Sequence, residues 1–142
     1  VAKSFRCKLV TPAAALLDDK VTYASVPVFD GLMGIQSSHA PMLVTLGMGE
    51  LRLDMADDAK LGKGGSRSYA LSGGTMKIAG DELTILAEQA TPGESISASE
   101  AEAELSKLNS TSPGTPAGAE ALRKQKAFAR VKLTMAKSGK GI

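Results

Sequence analysis

One short segment governs what this chain can fold into. Ala90-Thr91-Pro92-Gly93-Glu94-Ser95 concentrates a proline, a glycine and small polar residues between two stretches of different periodicity, and such clusters end regular structure. Before it, β-type runs at Phe5–Val10, Lys20–Val28, Gly49–Met55, Ser68–Leu71, Met76–Ala79 and Glu82–Leu86 alternate with turn-rich stretches. That spacing reads as an all-β sandwich or barrel. Within Glu82–Leu86, Leu83 and Ile85 share one face and Thr84 and Leu86 the other, which suits a sheet covered on both sides. After the segment, Ser97 to Asn109 is rich in Ala, Glu, Leu and Lys. Ser97 and Glu100 have the spacing of a capping box at a helix start. Ser110-Thr111-Ser112-Pro113-Gly114-Thr115-Pro116 then forbids a continuous helix, and a second one is expected from Ala117 to about Ser138, ended by Gly139 and Gly141. The expected organisation is a β-sandwich domain over residues 1–92 and a C-terminal α-helical hairpin over 93–142.

Composition narrows the function. Of 142 residues 43% are apolar but only 4% aromatic, and seventeen basic against fifteen acidic residues leave a net charge of +2. Few stacking platforms and no strong positive balance disfavour nucleic acid as a partner. The longest purely apolar run is the five residues Ala13–Leu17, against about 18 to 20 for a membrane-crossing helix, so contact with a membrane is expected only through partners. The first residues lack the apolar core of an export signal, which gives a cytoplasmic expectation. The lone Cys7, on an alternating strand pattern, reads as a small apolar core residue.

Motifs for catalysis are missing. Gly62-Lys63-Gly64-Gly65-Ser66 lacks phosphate-loop spacing and reads as a hairpin loop. Ser72 and the single histidine, His39, have no third group to form a nucleophilic constellation. One His and one Cys cannot build a zinc site, and Asp18-Asp19 and Asp57-Asp58 lack the intervening ligands of a calcium loop. No catalytic residue and no metal site is assigned.

Two other features stand out. From Ala117 to Ile142 the chain carries seven basic residues and one acid, Glu120. At 100° per residue Arg123, Lys126, Arg130 and Lys137 fall within an arc of about 60°, beside a broad apolar arc that includes Leu122, Phe128, Ala129, Val131 and Met135. This is either a solvated stripe or a docking face for an acidic surface. The other is Val26 to Leu43, a strand leading to a glycine-punctuated exposed loop in which Leu32, Met33 and Ile35 flank Gly31 and Gly34 as a plausible contact surface.

Four ordered motifs carry a family resemblance: Gly31-Leu32-Met33-Gly34-Ile35-Gln36-Ser37-Ser38-His39-Ala40-Pro41-Met42-Leu43, then Leu46-Gly47-Met48-Gly49-Glu50-Leu51, then Leu71-Ser72-Gly73-Gly74-Thr75-Met76, then Leu83-Thr84-Ile85-Leu86-Ala87-Glu88. With Lys8-Leu9-Val10-Thr11-Pro12 at the start, they resemble the epsilon subunit of rotary F-type ATP synthases, the counterpart of the mitochondrial delta subunit. The resemblance implies a ten-stranded β-sandwich followed by a two-helix hairpin. It implies a non-catalytic coupling part on the cytoplasmic face of the bacterial inner membrane, bound to the gamma subunit and the c-ring and linking proton flow to ATP synthesis. It places the c-ring contact at Gly31, Leu32, Met33 and His39, where Leu32 replaces a residue often acidic in relatives. The helices would block hydrolysis by contacting beta and alpha subunits and gamma through Arg123, Lys126, Arg130 and Lys137. Some relatives bind ATP in the folded hairpin, a site that would involve Ile96, Lys126 and Arg130 here. Because Ser97 and Glu100 replace that site's Asp and Arg, no cofactor is expected, and an ATP-sensing module is the alternative reading.

Overall fold

A computed structural model describes residues 3–59 and 64–137. Seven strands come first: β1 (Phe5–Val10), β2 (Ala15–Val28), β3 (Gly31–Ile35), β4 (Met42–Thr45), β5 (Met48–Met55), β6 (Ser66–Ala79) and β7 (Glu82–Pro92). A 3-10 turn at Gly93–Ser95 follows, then α1 (Ala98–Asn109) and α2 (Pro116–Lys137). The class is the expected one, a β-sandwich carrying two helices, but the described residues form seven strands and not ten. Two strands of the difference arise because β2 and β6 run on through corners. β2 pairs with β1 over Ala15–Val21, shifts register between Val21 and Tyr23, and then pairs with β5 and β3. β6 pairs with β5 up to Ser72 and with β4 from Thr75 onward. Its corner is Gly73-Gly74, with φ of 63° and 117°, conformations that side chains resist. A Cβ on Gly74 would run into the Leu86 carbonyl oxygen.

β1 pairs with both β2 and β7, and β7, β6, β5 and β2 follow in hydrogen-bonded order, so five strands close on themselves. β3 and β4 are left as edges, each paired along its length with one neighbour, β2 and β6 respectively. β3 and the first half of β4, as far as Leu43, were expected to be loop. Gly31 and Gly34 weaken the local β-preference of β3, and Pro41 stands just before the short β4; antiparallel pairing to long, buried neighbours supplies the register.

Alternation along the strands fills the space between the layers. Phe5, Cys7 and Leu9 from β1, Leu51, Leu53 and Met55 from β5, Met76 and Ile78 from β6, and Leu83 and Ile85 from β7 are buried in one cluster. Leu86, on the other face of β7, is 53% exposed, so the expectation of a sheet covered on both sides fails there. The helical hairpin covers a different part, where α2 lies on β5 and β6. A second, smaller cluster forms at that contact from Ala70, Ile96, Phe128 and Met135.

The helix ends also differ from expectation. Ser97 precedes α1 in an extended conformation but makes no capping hydrogen bond through its side chain; its hydroxyl meets that of Ser99 at 3.0 Å. α2 begins at Pro116, where a missing N–H costs nothing, and the Thr115 hydroxyl accepts the Gly118 N–H at 3.0 Å. The expected stop at Gly139 and Gly141 lies outside the described residues, as do Gly62 and Lys63 of the glycine-rich loop. Gly64 and Gly65 sit between β5 and β6, as a hairpin connection requires.

Candidate interaction surfaces

The residues singled out between Gly31 and His39 divide between the two ends of β3 and β4. Gly31, with φ of 144°, opens β3 opposite Val28. Leu32 faces outward and is 70% exposed, whereas Met33 alternates inward and packs against the main core. His39 lies beyond the far end of β3, in a loop held by the Ser38 N–H donating to Asp81 Oδ1 at 2.7 Å. Its Nδ1–H donates to the Ala40 carbonyl at 2.9 Å. At about 3.3 Å per residue the five residues of β3 separate the two groups by roughly 13 Å. The geometry therefore joins Gly31 and Leu32 and leaves His39 as a loop anchor.

Two exposed residues that sequence reasoning did not single out complete this side of the sandwich. Phe29, in the β2–β3 turn, is 72% exposed and Leu43, on β4, is 70% exposed. The Phe29 N–H donates to the Thr45 carbonyl at 3.2 Å, which sets the turn against the end of β4. Three large apolar side chains thus stand exposed, Leu32 and Leu43 on the two edge strands and Phe29 in the turn that leads into β3. Neither β3 nor β4 contains a charged residue, although edges left to solvent are commonly guarded by charge or proline. An aromatic at a turn was the available signal for Phe29; Leu43 became recognisable only once β4 was a strand with Met42 and Val44 facing in.

On α2, Arg123 and Arg130 are exposed and Lys126 is half-buried, and none of the three makes an ion pair among the described residues. Lys137 differs, since its Nζ lies 3.9 Å from Glu102 Oε1 on α1. The basic stripe faces solvent while Leu122, Phe128, Ala129 and Met135 are buried.

The residues that the alternative, ATP-sensing reading would use, Ile96, Lys126 and Arg130, do not line one cleft. Ile96 is buried in the helix–sheet cluster. The cleft of about 160 Å³ at the start of α1 is lined by Thr91, Ser95, Ile96, Ser97, Glu100, Ala101, Glu104 and Lys132, and neither Lys126 nor Arg130 reaches it. Its single cation, Lys132, is bound to Glu104 at 2.8 Å. Two carboxylates and one neutralised lysine make a poor site for a triphosphate. Ser72 is buried in mid-β6, while His39 rests near the β6–β7 turn at the strand's far end, so no nucleophile–base pair exists between them. Burial pushes the Cys7 thiol up to about 12, which keeps it protonated and unreactive near neutrality.

Known proteins share this fold. The family model described as "ATP synthase, Delta/Epsilon chain, beta-sandwich domain" matches residues 4–93. Similar sequences include an ATP synthase epsilon chain of Rhodopirellula baltica, 32% identical over 82% of this chain and 86% of that one. Another is from a Synechococcus species, 31% identical over 91% and 92% of the two chains. An ATP synthase epsilon chain described as sodium ion specific, from Propionigenium modestum, is 30% identical over 73% and 72%. Among solved structures, a chain in the mitochondrial ATP synthase of Euglena gracilis superposes with a TM-score of 0.72 at 18% identity, covering 97% of this chain and 83% of that one. A chain of the central stalk and c-ring of the Tetrahymena thermophila mitochondrial ATP synthase gives 0.65 at 18% identity over 95% and 98%.

Proposed function

The chain belongs to the ATP synthase delta/epsilon chain family, and from that premise we propose that it is the epsilon-type subunit of the central stalk of a rotary F-type ATP synthase. It is a non-catalytic part that binds the gamma subunit and the c-ring and couples ion flow through the ring to ATP synthesis. The observation that carries the contact is the exposure of Phe29, Leu32 and Leu43 beside two uncharged edge strands. A part that turns with a shaft needs a contact that does not dissociate under load, and apolar side chains desolvated against a partner supply one, at about 1.5–3 kcal/mol each. The closed ring of five strands is a stiff body through which load can pass. No described helix is long and apolar enough to cross a membrane, so attachment runs through the complex, at the cytoplasmic face of the bacterial inner membrane. Ion choice belongs to the ring, and the likeness to a sodium-specific relative fits that division.

The hairpin is the regulatory half of this reading. Arg123, Lys126 and Arg130 present positive charge with no ion-pair partner among the described residues, which suits an acidic surface on the beta and alpha subunits and inhibition of hydrolysis. Deleting residues 117–142 should raise ATP hydrolysis by the assembled complex. An unchanged rate would remove the inhibitory role and leave the coupling role untouched. Phe29→Ala with Leu32→Asp should leave the isolated protein folded while weakening its incorporation into the complex; full incorporation would move the contact elsewhere.

The alternative of ATP sensing predicts saturable heat when millimolar ATP or Mg-ATP is titrated into the full chain. The carboxylate-lined cleft at α1 argues for none.

A further inference from the structure

Lys132 is the residue on α2 whose surroundings the basic stripe does not explain. It projects on the opposite side of the helix from Arg123, and its side chain is only 18% exposed. The ammonium lies 2.8 Å from Glu104 Oε2 on α1 and 5.1 Å from the centroid of the Phe128 ring. Phe128 in turn is buried with Ala70, Ile96 and Met135, the cluster that seats α2 on the sheet. One ammonium therefore touches the helix–helix contact and covers the helix–sheet contact at once.

The space around it supports the same point. Clefts of about 610 and 160 Å³ lie on its two sides, and Thr91, Glu104 and Lys132 line both. Glu88 and Glu100 add carboxylates to these walls, and among the described residues Lys132 is the one cation lining either. α1 is held by α2, which is the element that lies on β5 and β6. The second interhelical pair, Lys137 with Glu102, is longer at 3.9 Å and more than half exposed at both ends, a geometry worth little in water.

We propose that the Lys132–Glu104 pair, seated over Phe128, is the internal latch that holds α1 on α2 in the docked hairpin. This rests on the reading of the hairpin as a regulatory element and adds what sets its posture. The latch occupies the position from which a cation would otherwise receive an anionic ligand. Closure is accordingly set by an ion pair within the chain and responds to ionic strength rather than to nucleotide. A short charge-assisted hydrogen bond with one partly shielded end is strong enough to bias such an equilibrium, and added salt weakens it.

The test is hydrogen exchange of the full chain, read separately for α1 and for the β-sandwich. Lys132→Met keeps most of the aliphatic stem over Phe128 and removes the charge; Glu104→Gln removes the opposite charge. Each should speed exchange of α1 amides by about tenfold while sandwich amides keep their protection, which shows that the variants fold. The exchanged pair, Glu104→Lys with Lys132→Glu, should recover most of the protection that either single reversal loses. Molar sodium chloride should speed α1 exchange in the natural chain and have little effect in Lys132→Met. Unchanged α1 exchange in both neutral variants, or a charge-exchanged pair no better than the single reversals, would overturn the latch. ATP hydrolysis plays no part in the readout, so that result would leave the inhibitory reading standing, and loss of inhibition on deleting the hairpin would not bear on the latch.

Discussion

Cys7 shows what a single position does in this sandwich. It is fully buried between Phe5 and Leu9, with its thiol pushed up to about 12 by burial. A folded-state value above the unfolded one of 9.0 stabilises the protein fully below pH 9 and loses that contribution as pH rises toward 12, because only the unfolded thiol ionises in that window. Stability measured by denaturant unfolding should therefore fall between pH 9 and 12. Cys7→Ala should lower stability at pH 7 through the cavity left behind and show a shallower alkaline decline. Thiol reagents should modify the natural protein only under unfolding conditions. Gly74 is the opposite case, a residue chosen for what it lacks. Gly74→Ala sets a Cβ against the Leu86 carbonyl oxygen at a φ of 117°, and denaturant unfolding should show a loss of at least about 2 kcal/mol.

Among the elements, the edge strands and the helix starts carry the consequences. β3 and β4 place Leu32 and Leu43 outward by turning Met33, Ile35, Met42 and Val44 inward, so the exposed apolar surface is a by-product of a well-packed core and not a loop accident. Leu43→Lys should leave the thermal midpoint of the isolated protein within a few degrees, and should reduce retention of the subunit in the purified complex. At α2, Thr115 caps an exposed helix start. Thr115→Ala should cost about 1 kcal/mol, visible as faster amide exchange in the first turn of α2 with β-sandwich exchange unchanged.

For the molecule as a whole, the two hydrophobic clusters are unequal. The core between the sheet layers holds most of the buried apolar residues and none from α1 or α2, while the contact that seats the helices contains Ala70, Ile96, Phe128 and Met135. A truncation after Ser95 should consequently fold as a cooperative unit, with calorimetric unfolding close to that of the full chain. Loss of cooperative unfolding would mean that the helices are needed to hold the sheet.

Much of this architecture is legible in the residues alone. Pro92-Gly93 ends the sheet because proline cannot continue a ladder, and period-two alternation in Phe5-Arg6-Cys7-Lys8-Leu9 and Leu83-Thr84-Ile85 marks the faces that became core. The Ala- and Glu-rich stretch after Ser97 gives α1 to within a residue of its observed start. Other features depend on distant partners. β3 is weak by its two glycines and β4 by its four-residue length, and both are held by their partners β2 and β6. β6 passes through a corner that the sequence presents only as two glycines. Gly31 and His39 lie in one motif yet end on different ends of the sandwich, since a strand between them is rigid where a loop would have let them meet. Lys132 is one of seven basic residues near the end of the chain, and only the position of Glu104 across the hairpin and Phe128 beneath it separates it from the rest. Local periodicity reports which side of an element is apolar; pairing and packing choose what that side meets.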